Sequence, residues 1–139
     1  MPTYRTASEA ETIALGEQLG RELRRGVVLL IGKLGAGKTT LAKGIVHGCG
    51  AAPPEEVSSP TFTLIHEYGG GRVYHVDLYR LDAPREVETL GLDELFDRDA
   101  LVLIEWGERF PRLLPAARTE IRIRATASGE GREFEVDTL

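Results

Sequence analysis

Apolar residues are arranged along this chain in three patterns, and each predicts a kind of element. Val27 to Ile31 is a continuous apolar run, the pattern of a strand buried on both faces, and Ala100 to Ile104 repeats it. Thr119 to Ala125 alternates Ile121 and Ile123 with Arg122 and Arg124, which predicts a half-exposed strand. Ser128-Gly129-Glu130-Gly131 then turns the chain back into Glu133 to Val136. Phe62 to Tyr68 and Arg72 to Asp77 flank three glycines and predict a hairpin. The third pattern is helical. Ile13, Leu15, Leu19 and Leu23 fall mostly on one side of a helix that Ser8 and Glu11 open as a capping box and that should end near Gly26. Lys38 to about His47 predicts a second helix, closed by Gly48 and Gly50, and Glu86 to Phe96 a third, broken at Gly91. Thr3 to Thr6 reads as a short edge strand, and Ala51 to Pro60 as a loop with three prolines. The sum is an α/β fold: a mixed sheet, parallel at its buried centre, antiparallel at its edge hairpins, with helices packed on it.

Composition narrows the function. A chain of 139 residues is one domain's worth, so residues 1–139 are expected to form a single domain. Hydrophobic residues at 42% and charged residues at 28% exclude a disordered chain. The net charge of −5 makes it a poor direct binder of nucleic acid, because that affinity comes mostly from basic neutralisation of phosphates. A single cysteine, Cys49, rules out an internal disulfide and a cysteine-rich metal site. Val27 to Ile31 is far short of the ~20 apolar residues that a spanning helix needs. Glu9, Glu11 and Glu17 interrupt the stretch where a secretory signal would be apolar, so a cytoplasmic protein is expected.

The chemistry centres on Gly32-Lys33-Leu34-Gly35-Ala36-Gly37-Lys38-Thr39, which matches G-x-x-x-x-G-K-[ST] at every fixed position. Glycines give the backbone conformations closed to other residues, so that successive N–H groups point at one anion. The following helix adds its positive N-terminal end. In such a loop Lys38 reaches the β- and γ-phosphates of a nucleotide and the Thr39 hydroxyl ligates Mg²⁺. Gly35, Ala36, Gly37 and Thr40 complete the candidate nucleotide-binding run. A predicted strand leads straight in and a predicted helix straight out, the context that separates a phosphate loop from a chance match.

Phosphate-loop enzymes also need a carboxylate at the end of a neighbouring strand to hold the Mg²⁺ shell. Glu105, closing Leu101-Val102-Leu103-Ile104, supplies one, and a carboxylate there is costly unless it meets a cation. Asp77 ends Val73-Tyr74-His75-Val76 and is the candidate for orienting the attacking water or supporting the metal shell. Ser58-Ser59-Pro60-Thr61-Phe62 lies where switch-type enzymes sense the γ-phosphate through a hydroxyl, and Thr61 is the candidate for that role. The chain contains no Asn, which excludes a guanine-reading Asn-Lys-x-Asp element, and its only Gln, Gln18, is misplaced for a Ras-like water. His47, His66 and His75 lack metal-ligand spacing and read as surface or packing residues. Arg80 and Arg109 are charge donors only in principle, each more simply a solvated or partner-facing residue.

Gly35-Ala36-Gly37-Lys38-Thr39-Thr40-Leu41, Ser59-Pro60-Thr61-Phe62-Thr63, His75-Val76-Asp77-Leu78-Tyr79-Arg80-Leu81, Ile104-Glu105-Trp106-Gly107-Glu108 and Leu114-Pro115 together resemble the TsaE (YjeE) family, the small bacterial ATPases of tRNA threonylcarbamoyladenosine synthesis. The phosphate loop is shared by many families; its combination with Ser-Pro-Thr-Phe, Asp-Leu-Tyr-Arg and Glu-Trp is specific. The resemblance implies a single domain that binds ATP or ADP and Mg²⁺, with Thr39 and Glu105 near the metal, Asp77 in the catalytic region, Thr61 in the switch loop and Trp106 beside the site. It implies that Glu9 and Arg132 flank the base. It also implies action with TsaD and TsaB, which transfer the threonylcarbamoyl group to the adenosine beside the anticodon, so that tRNA is met only through those partners. The family usually has Asp after the first glycine of the loop; here it is Lys33, at a position whose side chain the backbone cradle does not need. Two other readings stay open on the residues alone: a small-molecule kinase, for which the chain leaves little room for a substrate domain and lid, and a nucleotide-gated binding module whose hydrolysis is incidental.

Overall fold

The computed structural model describes residues 2–33, 36–61 and 63–139. Seven strands form one sheet: β1 (Thr3–Thr6), β2 (Gly26–Ile31), β3 (Ile65–Tyr68), β4 (Val73–Asp77), β5 (Leu101–Glu105), β6 (Thr119–Ala125) and β7 (Arg132–Thr138). Their order is β1-β7-β6-β2-β5-β4-β3. β6, β2, β5 and β4 run parallel, and β3, β7 and β1 pair antiparallel at the two sides. This is the predicted mixed sheet with a parallel centre.

Two helices cover one face and two cover the other. α1 (Glu9–Leu23) and α2 (Lys38–Gly48) pack with Val28 and Leu30 of β2 and Leu101 and Leu103 of β5. α3 (Pro84–Glu88) and α4 (Leu92–Phe96) contribute Val87, Leu92 and Leu95 to a second core with Val27, Leu29, Val102 and Ile104. Alternate residues of the same apolar runs therefore fill opposite cores, which is why those runs show no polar alternation.

The sequence reading differs from the structure mainly at element ends. α1 stops at Leu23, with Arg24 in a left-handed C-cap (φ 49°), so Gly26 begins β2 instead of closing the helix. The Glu86–Phe96 segment is two short helices, the first opened earlier by Pro84 at its N-terminus, where the missing N–H costs nothing. The first hairpin strand begins at Ile65; Phe62 lies outside the described residues. The predicted capping box at α1 forms only in its first half: Ser8 Oγ accepts from the Glu11 N–H, but the Glu11 carboxylate reaches past the cap and accepts from the Ala7 N–H instead of the Ser8 N–H.

α1 and α2 cross with their backbones nearly touching. A Cβ at Gly44 would come within 2.2 Å of the Ile13 carbonyl oxygen and 2.8 Å of Gly16 Cα, and one at Gly48 within 2.2 Å of the Glu17 carbonyl oxygen. Gly16 and Gly20 on α1 are equally closed, against Leu41, Gly44 and Ile45 of α2. This glycine seam seats α2, and with it the phosphate-loop lysine, against the sheet.

Candidate functional site

The parallel strands β2, β4 and β5 all end at one edge of the sheet, the edge where ligands bind in open α/β folds. A cavity of about 460 Å³ opens there. Glu9, Gly37, Lys38, Thr39, Thr40, Thr61, Asp77, Glu105 and Arg132 line it, so the structure brings together residues far apart in the chain. Of the other residues in the predicted site, Gly35 lies outside the described residues. Ala36 does not line the cavity: its methyl packs in the α1/α2 core and its N–H donates to the Lys33 carbonyl.

The entry to α2 is built for an anion. Gly37 holds φ at +108°, a value that side chains resist, and turns the chain directly into the helix. No side chain caps α2 and no acidic residue occupies its first turn. The N–H groups of that turn thus face the cavity with the positive end of the helix and no side-chain acceptor. Lys38 is 5% exposed, and its Nζ has no hydrogen-bond partner among the described residues. It rests instead 3.7 Å from the centre of the Trp106 ring. Burial pushes the Lys38 ammonium below the ordinary lysine range, while Glu105, Glu108 and Asp77 oppose the shift. A buried ammonium without an acceptor fits an anionic ligand placed above it.

Trp106 owes its place to the backbone. It leaves β5 with φ at 66°, a left-handed conformation that costs a non-glycine residue about 1–3 kcal/mol. The turn carries the indole over Lys38 and against the half-exposed Tyr79, with ring centres 5.1 Å apart.

The two strand-end carboxylates are register partners on adjacent strands: Asp77 of β4 lies beside Glu105 of β5. Both side chains project to the face that carries α1 and α2, since Val76 and Ile104, their neighbours in sequence, fill the opposite core. Asp77 Oδ1 accepts from the Tyr79 N–H at 2.8 Å, and Oδ2 accepts from the Thr61 hydroxyl at 3.1 Å and from the Ser59 hydroxyl at 3.4 Å. Asp77 therefore ties the 58–61 loop to the end of β4. Ser59 Oγ and Thr61 Oγ1 are themselves 2.7 Å apart.

Glu105 meets a partner that the sequence did not reveal. His75 Nε2 lies 2.6 Å from Glu105 Oε2, and His75 is completely buried. This corrects the reading of His75 as a plain surface or packing residue. The other two histidines stay away from the cavity: His47 bonds Glu17 across the α1–α2 crossing, and His66 bonds Tyr68 within the hairpin. Arg109 is engaged as well, donating to the Leu78 and Tyr79 carbonyls and pairing with Asp82.

The far wall of the cavity comes from both ends of the chain. Ser8, Glu9 and Thr12 line it from the start of α1, and Gly129, Glu130 and Arg132 from the β6–β7 turn. The Arg132 guanidinium approaches the phosphate loop: a Cβ on Gly37 would lie 3.6 Å from its Nε. For a metal, no group of three or more His, Cys, Asp or Glu side chains is assembled among the described residues. Thr39 and Glu105 in the same cavity fit a Mg²⁺ ion that takes one or two protein oxygens and completes its shell with phosphate and water.

Known proteins resemble this chain over most of its length. The profile of the family described as threonylcarbamoyl adenosine biosynthesis protein TsaE matches residues 6–134. A Nostoc protein named as tRNA threonylcarbamoyladenosine biosynthesis protein TsaE is 44% identical over 138 residues, covering 94% of this chain and 82% of that one. The Bacillus subtilis protein of the same name is 40% identical over 130 residues, covering 91% and 80%. The Haemophilus influenzae protein of that name is 46% identical over 99 residues, covering 70% of this chain and 61% of its own length. The crystal structure of Bacillus subtilis YdiB superposes with a TM-score of 0.79 at 33% identity, covering 99% of this chain and 84% of that one. With the profile spanning the phosphate loop, both strand-end carboxylates and the β6–β7 turn that line this cavity, the chain belongs to the TsaE family.

Proposed function

We propose that this chain is a cytoplasmic, Mg²⁺-dependent ATP-binding protein and slow ATPase that supports threonylcarbamoyladenosine modification of tRNA beside the anticodon, together with TsaD and TsaB. Family membership supports the pathway. The observation that carries the nucleotide reading is the buried Lys38 ammonium, which has no acceptor among the described residues, at the uncapped start of α2.

In this reading Lys38 and the first-turn N–H groups of α2 hold the β- and γ-phosphates. Thr39 and Glu105 hold the metal, which when bound supplies charge neutralisation of the phosphate oxygens. Asp77 positions the attacking water, and Thr61, already bonded to Asp77, reports the γ-phosphate to the 58–61 loop. Glu9 and Arg132 flank the base. Arg109 is occupied by backbone carbonyls and so lends little charge to the transition state. Turnover by the isolated chain is then slow, and a partner that orders the loop around Thr61 or supplies a cation raises it. The acidic net charge of −5 leaves tRNA contact to the partners.

Steady-state ATPase assays of the chain alone, with TsaD and TsaB, and with both plus tRNA test this. Slow basal turnover that rises with the partners is expected. Fast turnover indifferent to them, or phosphate delivered to a metabolite instead of water, would overturn the partner-dependent ATPase and favour a stand-alone hydrolase or kinase.

A further inference from the structure

His75 and Glu105 stand in a diagonal relationship across adjacent parallel strands. His75 of β4 is register partner to Leu103 of β5, and Glu105 lies two residues further on the same face. Diagonal neighbours of this kind meet only when both side chains are long enough, and here they meet at 2.6 Å. An ionised carboxylate only accepts, so the imidazole donates from Nε2. Among the described residues no other side chain is bonded to Glu105, and the His75 Nδ1 has no partner. The histidine is 0% exposed, so the ring is held by packing and its one hydrogen bond goes to this carboxylate.

We propose that His75 is a positioning residue for the metal shell: its Nε2–H fixes Oε2 of Glu105 and so aims Oε1 at the cavity. The proposal rests on the reading that Glu105 belongs to that shell. A strand-end glutamate has three rotatable bonds, and a carboxylate free to turn would give up ordering entropy each time a cation bound. Hydrogen bonds to the second oxygen of a ligating carboxylate are a recurrent device of metal sites, and their loss weakens metal affinity roughly 10-fold to 100-fold. Among the described residues no hydrogen bond joins His75 to Lys38 or to the start of α2, so its loss should fall mainly on the metal.

Calorimetry of ADP and of a non-hydrolysable ATP analogue, each with Mg²⁺ and with chelator, separates these contributions. Three proteins are compared: the parent, His75→Leu, which keeps volume but loses the donor, and His75→Gln, whose amide nitrogen reaches about as far as Nε2. In His75→Leu the metal-free affinity should follow the parent, while Mg²⁺ strengthens binding with a metal affinity at least ~10-fold weaker. His75→Gln should recover most of that loss. If His75→Leu fails to fold, His75→Asn makes the same comparison, because its amide stops short of Glu105. Parent-like Mg²⁺ enhancement in the folded donor-less variant, or a metal-free affinity that falls in parallel, would overturn the positioning role alone. Absence of any Mg²⁺ enhancement in the parent would instead overturn the metal reading of Glu105, and this inference with it. A double variant with Glu105→Gln adds a check: if His75 acts through Glu105, the two losses do not add.

Discussion

The Lys38 ammonium stands 3.7 Å from the centre of the Trp106 ring, and that π-face takes the place of the hydrogen-bond acceptor it lacks among the described residues. Burial lowers the pKa of Lys38 in the free protein, and an anionic phosphate placed beside it raises the pKa again. Binding therefore takes up a proton at alkaline pH. Affinity for ADP without metal should fall as pH climbs from the lowered Lys38 value towards 10.5, a range over which an ordinary lysine stays mostly charged. Lys38→Ala should bind more weakly but show no such fall. Calorimetric titrations across the alkaline range compare the two profiles, and parallel profiles would remove Lys38 from the anion site.

At neutral pH the same substitution measures the contact itself. Lys38→Ala removes a charge-assisted hydrogen bond to phosphate, a loss of about 1.5–3 kcal/mol, or roughly 10-fold to 150-fold in affinity. Unchanged ATP affinity in a folded Lys38→Ala protein contradicts the assignment.

Asp77 and Thr61 are hydrogen-bonded to each other, and the proposed reading puts them at the attacking water and the 58–61 loop, outside the phosphate cradle. Asp77→Ala should lower the hydrolysis rate by roughly 10²–10⁴-fold, the range for a group that handles the attacking water, with a much smaller effect on ATP affinity. Thr61→Ala should move in the same direction by less, because Ser59 keeps one bond to the carboxylate. Single-turnover hydrolysis and equilibrium binding on the same variants separate the two effects. Equal losses in both would make these residues structural.

Stability should depend on the glycine seam between α1 and α2. In an exposed helix, glycine to alanine stabilises by up to about 1 kcal/mol. At Gly44 the added methyl would sit 2.2 Å from the Ile13 carbonyl oxygen, so the helices must part. Gly44→Ala should destabilise by about 1–3 kcal/mol, the range for overpacking. Thermal unfolding gives the sign, and an increase in Tm would show that the helices separate easily. Because α2 begins at Lys38, weaker nucleotide binding should accompany the loss.

The amino-acid sequence by itself determined the parts of this protein whose physics is local. Continuous apolar runs marked β2 and β5 because a strand covered on both faces needs no polar alternation. Gly37-Lys38-Thr39 marked the candidate anion site because a left-handed turn, a helix start and a cation must be adjacent in the chain to act together. Glu105 and Asp77 stood out as carboxylates ending apolar strands. Tertiary structure decided what depends on register and on close approach. Whether His75 meets Glu105 turns on the offset between β4 and β5, and a slip of one residue would turn the ring to the opposite core. Trp106 faces Lys38 only because its backbone takes a left-handed turn that no propensity favours. Gly16 and Gly44 carry no local signal, since glycine inside a helix is unfavourable until a second backbone needs the space.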